Sequence, residues 1–340
     1  MPAENIVAQN NQIELLDPVV IVSASPHIRS EVTIQAIMVS VILALLPTSL
    51  AGVYFFGPRA LMVILVSTFG AVAAEALIQP LLGQRISIWD GSAAVTGLLL
   101  ALTLPPSSPW WIALVGSALA IILGKSIYGG LGNNPFNPAL IGRVILLVSW
   151  PVQLTRWQNP SFLFSKSFDA VSTATPLGVL KGEGVAAIAK FRLLDLFLGN
   201  RAGCIGEVSA LAILAGVGYL IWKGHVTWHI PVSCLGAIAA ISGIFWLINP
   251  AQYANPLFHL LGGGSMLGAC FMATDMVTSP ITPRGMLIFG AGIGFITMMI
   301  RIFGGYAEGL SFAILLMNAT CPLIDRYTMP KGFGRIRKHA

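Results

Sequence analysis

The sequence predicts an all-α polytopic membrane protein with about ten transmembrane helices in two halves. Three observations predict it. Of 340 residues, 56% are hydrophobic and only 9% are charged, with a mean hydropathy of +0.81. Soluble domains carry about 25% charged residues, so this chain has too little charge to cover a water-facing surface. Apolar runs of roughly bilayer-spanning length, about 20 residues, recur from one end to the other. Short motifs also recur at a fixed offset, which divides the runs into two sets.

Residues 1–31 are polar and mixed in charge, and the first apolar run starts near Val32. That is too late and too long for a secretory signal, so the leader is expected to lie along the membrane surface or against a partner. The first half, 32–151, contains candidate spans at 32–53, 59–80, 91–105, 109–127 and 138–151. A polar loop at 152–205 follows. The second half, 206–324, contains 206–223, 229–248, 256–274, 284–303 and 309–324, and a basic tail at 325–340 closes the chain. Segments 91–105 and 309–324 are short and adjoin breaks at Pro105-Pro106 and Gly304-Gly305. Short, interrupted segments at matching places point to discontinuous helices around a midplane site.

Ile127-Tyr128-Gly129-Gly130 is echoed by Ile302-Phe303-Gly304-Gly305, and Thr103-Leu104-Pro105 by Thr278-Ser279-Pro280, both at an offset of 175. Gly91-Ser92 answers Gly264-Ser265 at 173. Five spans per repeat, an odd number, makes the two copies inverted in the membrane. Chance recurrence in Gly-rich helices is the bland alternative; two pairs sharing one offset favour the repeat.

The net charge of +6 sits in loops and in the tail Lys331–His339, where it reads as membrane orientation. No interleaved basic and aromatic stripe supports nucleic-acid binding. The tail places both termini in the cytoplasm, together with short loops at Arg85, Lys125, Lys223 and Arg284. The 152–205 loop is then extracytoplasmic despite its six basic residues, since long loops cross largely regardless of charge. The localisation expected is the inner, cytoplasmic membrane, with the lipid bilayer as solvent.

Cys204, Cys234, Cys270 and Cys321 never form C-x-x-C, which argues against a cluster or zinc site held by this chain alone. The histidines show no metal-ligand spacing, so no metal is expected. Cys234, Cys270 and Cys321 read as small buried hydrophobes, and Cys204 borders the sixth span, where a subunit contact is conceivable. Ionisable residues in or near spans are Glu75, Asp90, Arg143, Glu207, Asp275, Arg301 and Glu308. An intramembrane charge is a functional hypothesis by default. Glu75 and Asp275 are the candidates for an ion or proton path, against pairing with an arginine of another helix. For Arg143, Arg301 and Glu308 that pairing is the preferred reading.

Two polar concentrations remain. Asp169-Ala-Val-Ser172-Thr173-Ala174-Thr175-Pro176-Leu177 crowds hydroxyls beside a carboxylate. Taken alone it fits a turn in which Asp169 caps a short helix and Ser172 and Thr173 bond locally. Gly132-Asn133-Asn134-Pro135-Phe136-Asn137-Pro138-Ala139 opens the fifth span. There Asn137 fits an N-cap with Pro138 at the first helical position. A ligand site formed by Asn133, Asn134 and Asn137 at the repeat interface fits equally.

D-x-x-S-x-A-T followed by Pro-Leu resembles the flavinylation motif of the RnfD/NqrB family, membrane subunits of the Rnf and Na+-NQR respiratory complexes. Ser25-Pro26-His27-Ile28-Arg29, the Gly132–Ala139 run, ten spans in two repeats and the length extend the resemblance over nearly the whole chain. The family pattern often has Gly where this chain has Thr173. The resemblance implies FMN joined to Thr175 by a phosphoester, installed by a flavin transferase that uses FAD, with Asp169, Ser172 and Ala174 around it. A hydroxyl that attacks a pyrophosphate in another enzyme's site is expected on an exposed loop. Lys166 or Lys181 would offset the ester's charge. A second, non-covalent flavin such as riboflavin is implied at Asn133, Asn134 and Asn137.

The function implied is a flavin-carrying, urea-transporter-like subunit of a translocase, relaying electrons between ferredoxin and NAD+ chemistry and coupling them to Na+ or H+ movement. Iron–sulfur and other flavin subunits would be its partners, because this chain carries no cluster motif and no G-x-G-x-x-G. The alternatives are an NqrB-like subunit of a Na+-translocating NADH:quinone reductase, a solute channel and a purely structural subunit.

Overall fold

A computed structural model of the chain describes residues 32–84, 86–160 and 172–330, and of Ser172 its backbone alone. The leader, Arg85, Lys166, Asp169 and the Lys331–His339 run lie outside the described residues. Residues from Ile34 onward belong to one compact unit.

The first half begins with α1 (Ile34–Phe56), whose buried residues Ser40, Ala44, Thr48, Gly52 and Phe56 form one stripe at helical spacing. Leu43, Leu46, Leu50 and Tyr54 stay exposed on the other side. A helix that is apolar on every face suits lipid rather than water. Gly57 at φ 73 turns the chain straight into α2 (Pro58–Leu81), with proline at its first position. There follow α3 (Ser92–Thr103), α4 (Trp110–Gly124) and α5 (Pro138–Ser149). In α3 every residue but Ala94 is buried. It crosses α2 closely: Ser67 Oγ donates to the Gly97 carbonyl at 2.8 Å, and a β-carbon at Gly97 would meet Ser67 O at 2.6 Å. Small residues at such crossings let membrane helices approach.

The connection between the halves is more than a loop. Trp157–Gln158 (β1) pairs antiparallel with Ser172–Thr173 (β2), and α6 (Pro176–Glu183) and α7 (Leu193–Leu198) follow. The chain then runs, buried and non-helical, from Ala202 to Ser209, with Gly206 N donating to Leu102 O at 2.7 Å and Ile205 N to Leu104 O at 3.0 Å. Non-helical backbone is tolerated at membrane depth where protein satisfies it.

The second half comprises α8 (Ala210–Trp222), α9 (His229–Ile248), α10 (Pro256–Leu261), α11 (Ser265–Leu267, continuing as a π-helical turn over Gly268–Met272), α12 (Pro283–Phe303) and α13 (Leu310–Thr328). Among the described residues, five helices are long and apolar enough to cross a membrane, namely α1, α2, α4 with its following turn, α9 and α12; α3, α5 and α8 are shorter apolar helices.

Two expectations are corrected here. The 256–274 segment is not one helix: Gly262-Gly263-Gly264 breaks it, with Gly263 at φ 61. The 309–324 segment is not a short one, since α13 runs 19 residues. The interrupted segment of the second half is α10–α11, and its Gly264-Ser265 is the pair that answers Gly91-Ser92 at the start of α3. Packing follows a matching order in the two halves. α2 packs on α3 and α4, and α4 on α5; α9 packs on the π-helical turn and α12, and α12 on α13. The first helices, α1 and α8, pack on each other.

Candidate functional site

Thr175 is the residue on which α6 begins. Its Oγ1 accepts from Gly178 N at 3.1 Å, an N-cap bond, and Pro176 occupies the first helical position. The cap of α6 is therefore Thr175, and capping by Asp169 lies outside the described residues; Thr173 lies in β2 and donates to Asn159 Oδ1 at 3.2 Å. The expectation of an exposed acceptor loop also fails: Thr175 is only 5% exposed. The ribbon pins the strand before it, and Leu177 packs with Leu196, Ala254 and Phe258 just after it.

Beside Thr175 opens a cleft of about 480 Å³, within the range of small-molecule sites. Thr173, Ala174 and Thr175 line one side, Arg143 and Glu308 another, and Trp157, Tyr306 and Phe312 supply aromatic faces. Arg143 NH2 donates to Glu308 Oε2 at 2.9 Å, and NH1 to Cys204 Sγ at 3.6 Å. This pair joins α5 of the first half to the segment before α13 of the second, the cross-helix pairing the sequence favoured.

Lys181 does not face Thr175. Its ammonium caps the end of α12, donating to the carbonyls of Gly304, of Tyr306 at 2.9 Å and of Arg301 at 3.4 Å. Burial pushes it below the usual lysine range. Among the described residues that line the cleft, the cation is Arg143.

Sequence spacing could not reveal one grouping. Ligand-type atoms of Cys204, Glu207 and Glu308 lie within 4.8 Å of one another. Guanidiniums already supply the positive charge there: Arg143 bonds Glu308 and Cys204, and Arg201 NH2 donates to Glu207 O at 2.6 Å. Cys204 is wholly buried within this cluster, so it makes no surface contact.

The second polar region lies elsewhere. Glu75, a candidate for an ion path on sequence grounds, accepts from Lys125 Nζ at 2.5 Å and from Gln79 Nε2 at 2.8 Å. Lys125 also donates to Ser92 Oγ at 2.5 Å, and Ser92 Oγ donates to Asp90 Oδ1 at 2.5 Å. Lys125 is 1% exposed. It is no surface-loop charge, because α4 ends one residue earlier and leaves it turned inward.

Lys125, Ser92, Asn134, Asn137 and Asp275 line a cavity of about 100 Å³. Asn137 both caps α5, accepting from Leu140 N at 3.3 Å, and donates to Met272 O of the other half at 3.1 Å. Asn134 donates to Phe136 O at 3.2 Å. Asn133 is not brought there; it is exposed, beyond Gly132 at φ 97. Asp275 sits in a turn after the π-helical segment, accepting from Thr278 Oγ1 at 3.1 Å.

Ser92 has a counterpart. Ser265 Oγ, at the start of α11, accepts from Arg301 NH2 at 2.7 Å, and Arg301 NH1 donates to His259 O at 2.7 Å. In each half a cation at the end of the long fourth helix holds the serine that opens the short buried one.

Fold and sites together define a polytopic α-helical membrane protein with buried charge clusters, one of them beside a threonine-lined cleft. The chain belongs to the NQR2, RnfD, RnfE family, whose model matches residues 21–334. It is 47% identical over 323 residues to the D subunit of the Na(+)-translocating ferredoxin:NAD(+) oxidoreductase complex of Acetobacterium woodii, covering 94% of this chain and 97% of that one. It is 44% identical over 322 residues to the D subunit of the proton-translocating ferredoxin:NAD(+) oxidoreductase complex of Clostridium ljungdahlii, covering 93% and 96%. The D subunit of the ion-translocating oxidoreductase complex of Yersinia enterocolitica is 40% identical over 351 residues, covering 94% and 99%.

Proposed function

We propose that this chain is the flavin-carrying membrane subunit of an Rnf-type ion-translocating ferredoxin:NAD+ oxidoreductase, with FMN esterified to Thr175. It would work with iron–sulfur and flavin subunits and with a flavin transferase for maturation. The relatives' names, over nearly their full lengths, support the complex. The observation that carries the site is Thr175 at the start of α6 on the wall of the 480 Å³ cleft.

The residues present suit the group. A phosphoester on Oγ1 would stand at a helix N-terminus, where backbone N–H groups and the helix dipole favour an anion. Trp157, Tyr306 and Phe312 offer apolar, stacking walls for a ring system. When bound, FMN supplies the one- and two-electron chemistry; the chain supplies position and environment. Thr175 at the start of α6 would hold the ester, with the β1–β2 ribbon bracing the residues just before it. Because the Oγ1 is buried and bonded to Gly178 N, attachment requires this turn to open or to precede final packing.

A second, non-covalent flavin at Asn133, Asn134 and Asn137 belongs to the same reading; Asn134 and Asn137 line a cavity of about 100 Å³ while Asn133 is exposed, and no step is assigned to it. The matched packing of the halves and the Ser92/Ser265 pair support ten membrane segments in two inverted repeats, 32–151 and 206–324. We place the termini in the cytoplasm and the Thr175 cleft outside, in an inner membrane. Coupling to Na+ or H+ is part of the same reading, with Glu75 and Asp275 as the ion-path residues.

The test is intact-mass analysis of the 152–205 peptide from native complex, with in-gel flavin fluorescence. An FMN adduct on Thr175 that disappears in Thr175→Val supports the reading. A colourless, unmodified peptide made beside a working transferase overturns it.

A further inference from the structure

We propose that Arg143 positions the phosphate of the Thr175-linked flavin, with Glu308 as its counter-ion, and that this pair sets the flavin's reduction potential. The proposal rests on the attachment reading above. Arg143 and Thr175 face the same cleft from opposite halves of the site, α5 and α6. Arg143 is 6% exposed and held by Glu308 and Cys204. Among the described residues, the surrounding cluster is one negative charge short. Arg143, Arg301, Glu207 and Glu308 share a small buried cavity, and Arg201 hydrogen-bonds the Glu207 backbone. Three guanidiniums thus face two carboxylates.

A buried excess charge is costly unless something pairs with it. A phosphodiester carries one negative charge and accepts paired N–H donors in the fork geometry of a guanidinium. Lys181 is not available for that task, because its ammonium is engaged by the carbonyls that end α12. A metal ion on Cys204, Glu207 and Glu308 would add positive charge where positive charge is already in surplus. The charge balance among the described residues calls for an anion, and the ester on Thr175 would stand on the wall of the cleft that Arg143 also lines.

The consequence is electrostatic. A cation beside the flavin favours the form that has gained an electron, and an anion beside it opposes that form, both more strongly away from water. Arg143 therefore raises the potential and Glu308 moderates it. The experiment uses the whole complex made with its transferase. Arg143→Gln, Arg143→Lys, Glu308→Gln and Lys181→Gln are compared by in-gel flavin fluorescence and by spectroelectrochemical titration of the covalent flavin.

The expected result is a fluorescent band in every variant. The midpoint should be lowered in Arg143→Gln, lowered less in Arg143→Lys, raised in Glu308→Gln and unchanged in Lys181→Gln. A band with all midpoints equal to wild type overturns this proposal and leaves the attachment standing. No band in the wild type overturns both. Should Arg143→Gln fail to assemble, Glu308→Gln and Arg143→Lys decide: wild-type midpoints in those two sink the idea.

Discussion

The two buried charge clusters make the same contact and differ in balance. Around Lys125, one ammonium meets the Glu75 carboxylate, with Gln79, Ser92 and Asp90 completing the hydrogen bonds, and the adjoining cavity holds about 100 Å³. Around Arg143, the described residues gather three guanidiniums and two carboxylates, of which Arg143 and Glu308 are paired, and the adjoining cleft holds about 480 Å³. In both, a cation ending a long helix holds the serine opening a short one, Lys125 to Ser92 and Arg301 to Ser265. The Lys125 cluster is built on one buried, balanced ion pair, with Asp90 half-buried beside it, and braces α2 against α4. The Arg143 cluster lies beside the larger open volume, which has room for an occupant.

Removing one member of the closed cluster should have the largest effect. In Lys125→Met the Glu75 carboxylate stays buried without its cation, a loss of about 3–5 kcal/mol. Restoring neutrality with Lys125→Met/Glu75→Leu should recover most of it, since apolar replacement of a buried pair is often neutral. Thermal unfolding in detergent, read by near-UV circular dichroism, checks this. A double variant as unstable as the single one would mean that the pair does more than brace α2 against α4.

Arg301→Met, at the matching place in the other half, is expected to cost less. It removes the bonds to Ser265 Oγ and to the His259 and Gly262 carbonyls, each worth about 0.5–1.5 kcal/mol net, but leaves none of the three stranded, since Ser265 Oγ still donates to both carbonyls at 3.1 Å. It also relieves the excess of positive charge, which offsets part of that loss. The same melting experiment should therefore rank Arg301→Met above Lys125→Met in stability. The reverse order would break the contrast between a balanced and an unbalanced cluster.

That contrast explains what the sequence could and could not tell. Helix positions were legible because apolar runs are local: α1, α2, α9 and α12 fall within a few residues of the predicted spans. Thr175 could be proposed from sequence because the motif that suggests it is contiguous. The partner of Glu75 was not, since Lys125 is 50 residues away and sits where a span ends, which in sequence looks like a loop charge. Arg143 and Glu308 are 165 residues apart, so only the packing of the two halves reveals that they meet. The break in 256–274 was written in Gly262-Gly263-Gly264, yet glycine also promotes close helix packing in membranes, and its two meanings are not separable without neighbours.

The smallest effect on folding should come from the residue with the largest effect on chemistry. Thr175 does two things, capping α6 through Gly178 N and presenting a hydroxyl, and substitutions can separate them. Thr175→Val removes both and should cost about 1 kcal/mol for the lost cap. Thr175→Asn keeps a strong N-cap and removes the hydroxyl, so it should melt within a few tenths of a kcal/mol of the unflavinylated wild type while carrying no covalent flavin. Thr175→Ser keeps both and should retain some fluorescence. Measured in a host lacking the transferase, the melting differences isolate the cap; measured beside the transferase, the fluorescence isolates the acceptor. A fluorescent Thr175→Asn band would move the attachment to another residue, and the surplus charge at Arg143 would then need a different anion.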